Sequence, residues 1–151
     1  AVAEAGEDIR LFDASVRKIQ FRMRSRKELE RFWIFQQKEP AERVDKVLNE
    51  LEKIGYINDA ALADTLLRRG IDKRLGKQKI LQELFAKGIP REIIDSLEFV
   101  HDEEDEAKKI YQHITKKWKS LSKLPRDTAK RRLWGFLARK GFRGDDISQA
   151  L

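Results

Sequence analysis

The chain contains no cysteine. That excludes a disulfide framework and zinc–thiolate sites, and it fits a reducing compartment. Only 3 prolines and 8 glycines punctuate 151 residues, so helices can run long. No apolar run approaches the roughly 20 residues of a membrane-crossing helix, and no apolar signal-peptide core stands near the start. A membrane partner is therefore not expected. β-Branched residues nowhere alternate over several positions, which argues against strands. The 2 histidines, His101 and His113, match no HExxH spacing, and "RGIDKRLGK" lacks the spacing of a phosphate-binding loop. The acids Asp102, Glu103, Glu104, Asp105 and Glu106 fan out around a helix and cannot converge on one ion, so they read as a solvated first turn. No catalytic residue, metal or cofactor is expected.

Charge and apolar character are both abundant. Charged residues make up 39% and hydrophobic residues 40%, and they alternate at the short spacing of amphipathic helices. The net charge is +7 and the pI near 9.7, a balance that favours polyanionic partners: nucleic acid or an acidic protein surface. "AVAEAGED" has no apolar period, and residues 1–12 are expected to form a flexible tail. The chain begins at Ala1, not Met, so a processed targeting segment, including an organellar one, stays open beside the expected cytoplasmic location.

Punctuation places the helices. Asp13 is a candidate N-cap ahead of Val16, Ile19 and Met23. Ser25 with Glu28 three residues on forms a capping box for a helix whose stripe is Leu29, Phe32, Trp33 and Gln36. Pro40 precedes a helix with Val44, Val47, Leu48, Leu51 and Ile54 on one face, and Gly55 caps it. Asn58 caps the next, with Leu62 and Leu66 inward. Ile80, Leu81 and Leu84 face inward on a short helix closed by Gly88, and Pro90 opens its successor. The helix beginning "HDEEDEAKK" runs from acidic to basic, as the helix dipole favours. Pro125 opens "RDTAKRRLWGFLARK", Gly141 stops it, and "RGDDISQAL" is a last short helix.

Two of these corners say nearly the same thing. "LFAKGIPREII" and "LARKGFRGDDI" place Gly88 and Gly141 at 141 − 88 = 53 residues apart. At that offset Ile80 meets Leu133, Leu84 meets Leu137, Lys87 meets Lys140 and Ile94 meets Ile147. The expected fold is all-α: an elongated stack of three-helix repeats, about nine helices and no sheet. Counted from corner to corner, residues 13–72 hold an N-terminal helix and repeat 1, 73–122 repeat 2, and 123–151 a truncated repeat 3. The first repeat departs at its corner, where "FQQKEPAERV" has no glycine. Leu29 matches Ile80 at offset 51 but Val44 matches Ile94 at offset 50, which suggests a residue missing from that turn.

These residues carry a resemblance. Gly55-Tyr56-Ile57-Asn58-Asp59, Leu62, Ala63, Gly76, Ile80, Leu84, Lys87, Gly88 and Ile89, with "SRKEL" at 25–29 and "RRLWGFLARKGFRGDDI" at 131–147, resemble the RecX family, bacterial regulators of the RecA recombinase. The resemblance spans about residues 16–151. It implies a non-enzymatic, elongated stack of three-helix repeats. Such a protein docks in the groove of the RecA–DNA filament, lowers ATPase, strand-exchange and co-protease activity, and in several cases binds DNA. The expected partners are thus the RecA filament and, weakly, single- or double-stranded DNA; a monomer is expected.

Three basic clusters are candidates for those contacts, because phosphate recognition demands little beyond Lys and Arg within reach. The first is Arg68, Arg69, Lys73, Arg74, Lys77 and Lys79. The second is Arg126, Lys130, Arg131, Arg132, Arg139, Lys140 and Arg143. The third is Arg17, Lys18, Arg22, Arg24, Arg26 and Lys27. Phe32 and Phe35 lie in an aromatic run too long for one helix face, and they are an alternative, apolar docking patch. Trp118 and Trp134 read mainly as core. Two other function classes stay open. One is a basic helical DNA-binding module without recombinase specificity, and the other is an adaptor that ignores nucleic acid.

Overall fold

The structure, a computed structural model, describes residues 2–97 and 103–151. Among the described residues there are nine α-helices, one π-helix and no strand. The helices are α1 (Val2–Phe21), α2 (Arg26–Glu30) running into a π-helix (Arg31–Gln36), α3 (Ala41–Lys53), α4 (Asp59–Asp72), α5 (Lys77–Ala86), α6 (Arg91–Ser96), α7 (Glu103–Leu121), α8 (Arg126–Arg139) and α9 (Gly144–Ala150). They fall into two compact units: residues 1–65 with 84–96, and residues 66–83 with 97–151.

The core of unit 1 is Leu11 from α1, Leu29 and Trp33 from α2 and the π-helix, Val44, Val47, Leu48 and Leu51 from α3, and Ile57. Its one large polar edge is satisfied internally. The Trp33 indole N–H donates to Ser15 Oγ at 2.9 Å, and the Ser15 hydroxyl donates to the Leu11 carbonyl at 2.8 Å. Ser25 caps α2 as its sequence promised: Oγ accepts from Glu28 N–H at 3.0 Å, and Glu28 Oε1 accepts from Ser25 N–H at 3.1 Å. Asn58 caps α4 through the Ala61 N–H at 3.0 Å. In unit 2, Ile110, Leu137, Phe142 and Ile147 form one cluster from α7, α8, the turn after α8 and α9, and Leu121, Ala129 and Leu133 form another from α7 and α8.

Within the flexible tail expected at residues 1–12, residues 2–12 are instead the first half of α1, and Leu11 is completely buried. The anchoring is electrostatic and tertiary, which a search for apolar period misses. Asp8 pairs with Lys46 at 2.8 Å and with Arg43 at 3.4 Å, and Arg10 pairs with Glu39 at 2.5 Å. The Lys46 bond holds the Asp8 carboxyl below its ordinary value, and Arg10 does the same for Glu39. Asp13 therefore lies inside α1 and caps nothing. Met23 lies beyond the end of α1, and Ile54 beyond the end of α3; both are exposed, as is Gln36. The acidic start of α7 is not simply solvated either. Glu106 is buried and accepts from Lys109 at 3.3 Å, while Asp105 stays exposed. His101 and Asp102 lie outside the described residues.

The corner count also needs correcting. From Leu29 to Val44 is 44 − 29 = 15 residues, whereas from Ile80 to Ile94 is 94 − 80 = 14. The first repeat thus has a residue to spare, not one missing. The π-helix absorbs it, because i→i+5 bonding accommodates an additional residue in the turn. With that residue placed, Lys38 falls where Gly88 does at offset 50. Lys38 has φ 56°, beside 74° at Gly88 and 94° at Gly141, so all three corners are left-handed. The closing bonds agree. Ile89 N–H reaches the Leu84 carbonyl and Phe142 N–H the Leu137 carbonyl, five residues back, whereas Glu39 N–H reaches Trp33, six residues back.

The corners need glycine for a second reason. A Cβ on Gly141 would stand 2.6 Å from the Lys79 backbone nitrogen, and one on Gly76 would stand 2.2 Å from the Gly141 oxygen. Between them Gly76 N–H donates to the Lys140 carbonyl at 2.8 Å. So the start of α5 is clasped, backbone to backbone, against the corner after α8. Unit 1 repeats the device. The Ser25 hydroxyl at the start of α2 donates to the Lys87 carbonyl, and a Cβ on Gly88 would stand 2.4 Å from Lys27 Cβ. Lys87-Gly88 and Lys140-Gly141 are the matched pair first seen in the sequence.

Candidate functional site

The feature most suited to binding lies in unit 2, between α7 and α8. Lys73 and Arg74 follow α4, Lys116 and Lys117 come from α7, and Lys140 ends α8; they line an open groove of about 420 Å³ whose one acid is Asp72. Lys117, Ser120 and Phe136 also border a second depression of about 400 Å³, where Arg131, Arg132 and Arg139 converge. Ser120 and Gly135 line it with almost no side chain, which keeps it open. The two depressions make one continuous cationic surface.

Its cations are positioned but not neutralised. Lys117 Nζ sits 4.0 Å and Lys140 Nζ 5.5 Å from the centre of the Phe136 ring. Among the described residues, none of Lys73, Lys116, Lys117, Arg131, Arg132, Arg139 and Lys140 pairs with a carboxylate. Two ammonium groups over one ring repel each other, and an anion between them would relieve the repulsion. Arg74 is held differently. It has a left-handed φ of 54°, its Nε donates to Gln112 Oε1 at 2.8 Å, and its carbonyl accepts from His113 Nε2 at 2.8 Å. A carbonyl only accepts, so His113 Nε2 carries the proton of that bond. His113 is thereby a structural residue, edge-on to Phe136 and Phe142.

The structure sorts the sequence candidates. It brings Lys73, Arg74, Arg131, Arg132, Arg139 and Lys140 into the groove. It leaves the others outside. Arg68 and Arg69 are exposed on α4, while Lys77 and Lys79 are half-buried at the start of α5. Arg126 and Lys130 lie beside Trp118, and Arg143 stands 4.0 Å from Asp145. The third cluster is largely spent inside unit 1. Arg26 pairs with Glu30 at 3.0 Å and Glu52 at 3.1 Å, Arg22 with Glu28 at 3.4 Å, and Lys27 with Glu30 at 3.7 Å. Lys18 lies 3.5 Å over the Phe32 ring; burial, then the Arg24 and Arg22 charges, lower its pKa. Arg17 stays exposed, and Arg24 has a buried Nε without a partner. Phe32 is half-buried with Trp33 at its edge, whereas Phe35 is 67% exposed.

Two family models match this chain: "RecX, second three-helix domain" over residues 58–96 and "RecX, third three-helix domain" over residues 103–151. The regulatory protein RecX of Chlorobium phaeobacteroides is 32% identical over 150 residues, covering 96% of this chain and 93% of that protein. The chain belongs to the RecX family. It spans about half the length of some other curated relatives. The regulatory protein RecX of Deinococcus radiodurans is 32% identical over 75% of this chain but 53% of its own length, and that of Streptomyces coelicolor is 34% identical over 68% and 55%. A crystal structure of a regulatory protein RecX shares the fold at a TM-score of 0.77 and 22% identity, covering 99% of this chain and 74% of that one. RecX from Lactobacillus salivarius does so at 0.76 and 20%, covering 97% and 95%.

The RecX three-helix frame groups α4–α6 and α7–α9, opening each repeat one helix earlier than the corner-to-corner count. Counted that way, α7–α9 is a full triplet. Two residues of the groove, Lys116 and Lys117, belong to no basic cluster visible in the sequence, where the basic end of α7 reads as complement to the helix dipole. Charge density was the available signal. Residues 116–143 hold 11 Lys and Arg and 1 acid, 11 − 1 = +10, against +7 for the whole chain. Trp118 and Trp134, expected in the core, are 55% and 44% exposed. Leu133 and Leu137 already occupy the inward face of α8, and residue 134 lies ~100° around the helix from 133.

Proposed function

We propose that this chain regulates the RecA recombinase, mainly as an inhibitor. It binds in the groove of the RecA–DNA filament and lowers ATPase, strand-exchange and co-protease activity. The observation that carries this reading is the unneutralised cationic groove of α7 and α8 in a chain of the RecX family. A nucleoprotein filament presents phosphate and acidic protein surface, and both complement that groove. Several modest contacts along one chain act as linked sites, so losing one weakens binding without abolishing it. The chain works in this reading as a binding protein that acts through its contacts with the filament.

The test is RecA ATPase on single-stranded DNA with substoichiometric amounts of the chain. Inhibition is expected, together with its loss in Lys117→Glu/Arg131→Glu/Arg132→Glu. Unchanged ATPase with the parent chain overturns the reading. The same groove supports a second reading, a DNA-binding helical module with no recombinase specificity. Equal affinity for bare DNA and for the filament would select it. If the triple variant inhibits as well as its parent, recognition runs through apolar residues such as Phe35 instead.

A further inference from the structure

The cationic depression has an apolar neighbour. Lys130, Arg131, Trp134, Gly135, Ser148 and Leu151 line an open hollow of about 580 Å³ on the far side of α8. Arg131 and Gly135 border both spaces, so the ridge between them is one arginine and one glycine wide. Trp134 walls the hollow. A Cβ on Gly144 would lie 3.6 Å from its Cζ2, so the indole is seated at the start of α9 and yet remains 44% exposed. An anion site and an exposed aromatic plane thus lie one residue apart.

We propose that this face of unit 2 binds single-stranded nucleic acid, with phosphates in the Lys117, Arg131, Arg132 and Arg139 depression and an unpaired base stacked on Trp134. The inference rests on reading the groove as a phosphate-binding surface, and it adds the strand type and the stacking residue. The two hollows match the two halves of a nucleotide, one charged and one flat. Gly135 has no side chain to block the sugar that joins them. A duplex keeps its bases in the stack and offers the indole only an edge, so Trp134 selects for the single strand. Every base has a π-face, so sequence preference is expected to be weak. Trp118 is a separate case, because it faces a hollow bordered by Lys130 but not by Arg131 or Gly135.

The experiment compares three probes on the full chain: a 15-residue oligothymidine, an abasic strand of the same length, and a 15-base-pair duplex. The parent is expected to bind oligothymidine about tenfold more tightly than the abasic strand. Trp134→Ala should erase that preference and leave the salt slope and duplex affinity unchanged, while Trp134→Phe keeps most of it and Trp118→Ala all of it. Arg131→Glu/Arg132→Glu should weaken all three probes and flatten the salt slope. Equal affinity of the parent for oligothymidine and the abasic strand overturns the proposal without needing any variant to fold. So does a preference that survives in Trp134→Ala at parental helical content. Displacement of oligothymidine by polyglutamate, but not by an excess of abasic strand, would assign the face to an acidic protein and overturn it too. If the parent inhibits RecA ATPase but binds none of the probes, the stacking site fails and the regulatory function stands.

Discussion

The two units draw on the same stock of Lys and Arg and use it in opposite ways. In unit 1 the cations close on acids of the same unit. Asp8 takes Lys46 and Arg43, Glu39 takes Arg10 and Arg43, and Arg26 holds Glu30 and Glu52. In unit 2 the groove cations Lys116, Lys117, Arg131, Arg132, Arg139 and Lys140 are held over Phe136 or left open, and among the described residues none of them pairs with a carboxylate, whereas Lys109 of α7 closes on Glu106 and Asp105. Charge in the first unit is part of the fold, and the groove charge of the second faces outward, unpaired. A count of basic residues cannot tell these apart. The third basic cluster is as dense in the sequence as the second, yet Glu28, Glu30 and Glu52 neutralise much of it.

The contrast makes its largest prediction in binding. Lys117→Glu/Arg131→Glu/Arg132→Glu should lose nucleic-acid affinity by at least about a hundredfold at moderate salt and flatten the salt slope by up to about one unit per lost phosphate contact. Its melting temperature should stay at or above the parental value, since relieving like-charge crowding costs the fold nothing. A large fall in melting temperature would mean that unit 2 depends on these charges as unit 1 does.

The second prediction concerns the corner clasps. Gly141→Ala should destabilise by about 2 kcal/mol or more in chemical denaturation, from left-handed backbone strain plus the approach to the Lys79 backbone. Gly88→Ala meets side-chain atoms of Lys27 and should cost somewhat less. Gly55→Ala, with a φ of 89° but nothing within 4 Å, should cost about 1 kcal/mol. If all three cost the same, the clasp contributes nothing beyond φ.

Arg26→Ala tests unit 1. Its side chain is 21% exposed and shared among several acceptors, so removal should cost about 1 kcal/mol of stability, with solvent screening limiting it. Nucleic-acid affinity should not change. A loss of affinity with intact stability would move Arg26 to the binding side of the comparison. The smallest effect is a gain: Lys38→Gly relieves a φ of 56° and should raise stability by less than about 1 kcal/mol, because glycine also loosens the unfolded chain.

Much of the fold was legible because its signals are local. Ser25 with Glu28, Asn58, and the glycines at 55, 88 and 141 mark helix ends through chemistry that acts within five residues. The first half of α1 was not legible, because Asp8 and Arg10 find their partners about thirty or more residues away in sequence. The π-helix was visible only as a one-residue change of offset, whose fall from 51 to 50 gives the additional residue to the first repeat. The groove was half legible. Arg131, Arg132, Arg139 and Lys140 announce themselves, but Lys116 and Lys117 join them only once α7 lies along α8. The tryptophans misled because size and apolarity favour burial on average, while their position one residue off an occupied inward stripe places them at the edge.

The clasp between a helix start and a glycine corner has a consequence for how such chains can drift. In unit 2 its contacts are a carbonyl, an amide hydrogen and the space left by missing side chains, so it specifies almost no amino acids beyond the glycines themselves, whereas unit 1 adds the Ser25 hydroxyl. Everything facing outward between two clasps is free to be rewritten without disturbing the joint. A sequence can then diverge until barely one residue in five agrees with a solved relative while the backbone still superposes at a TM-score of 0.76.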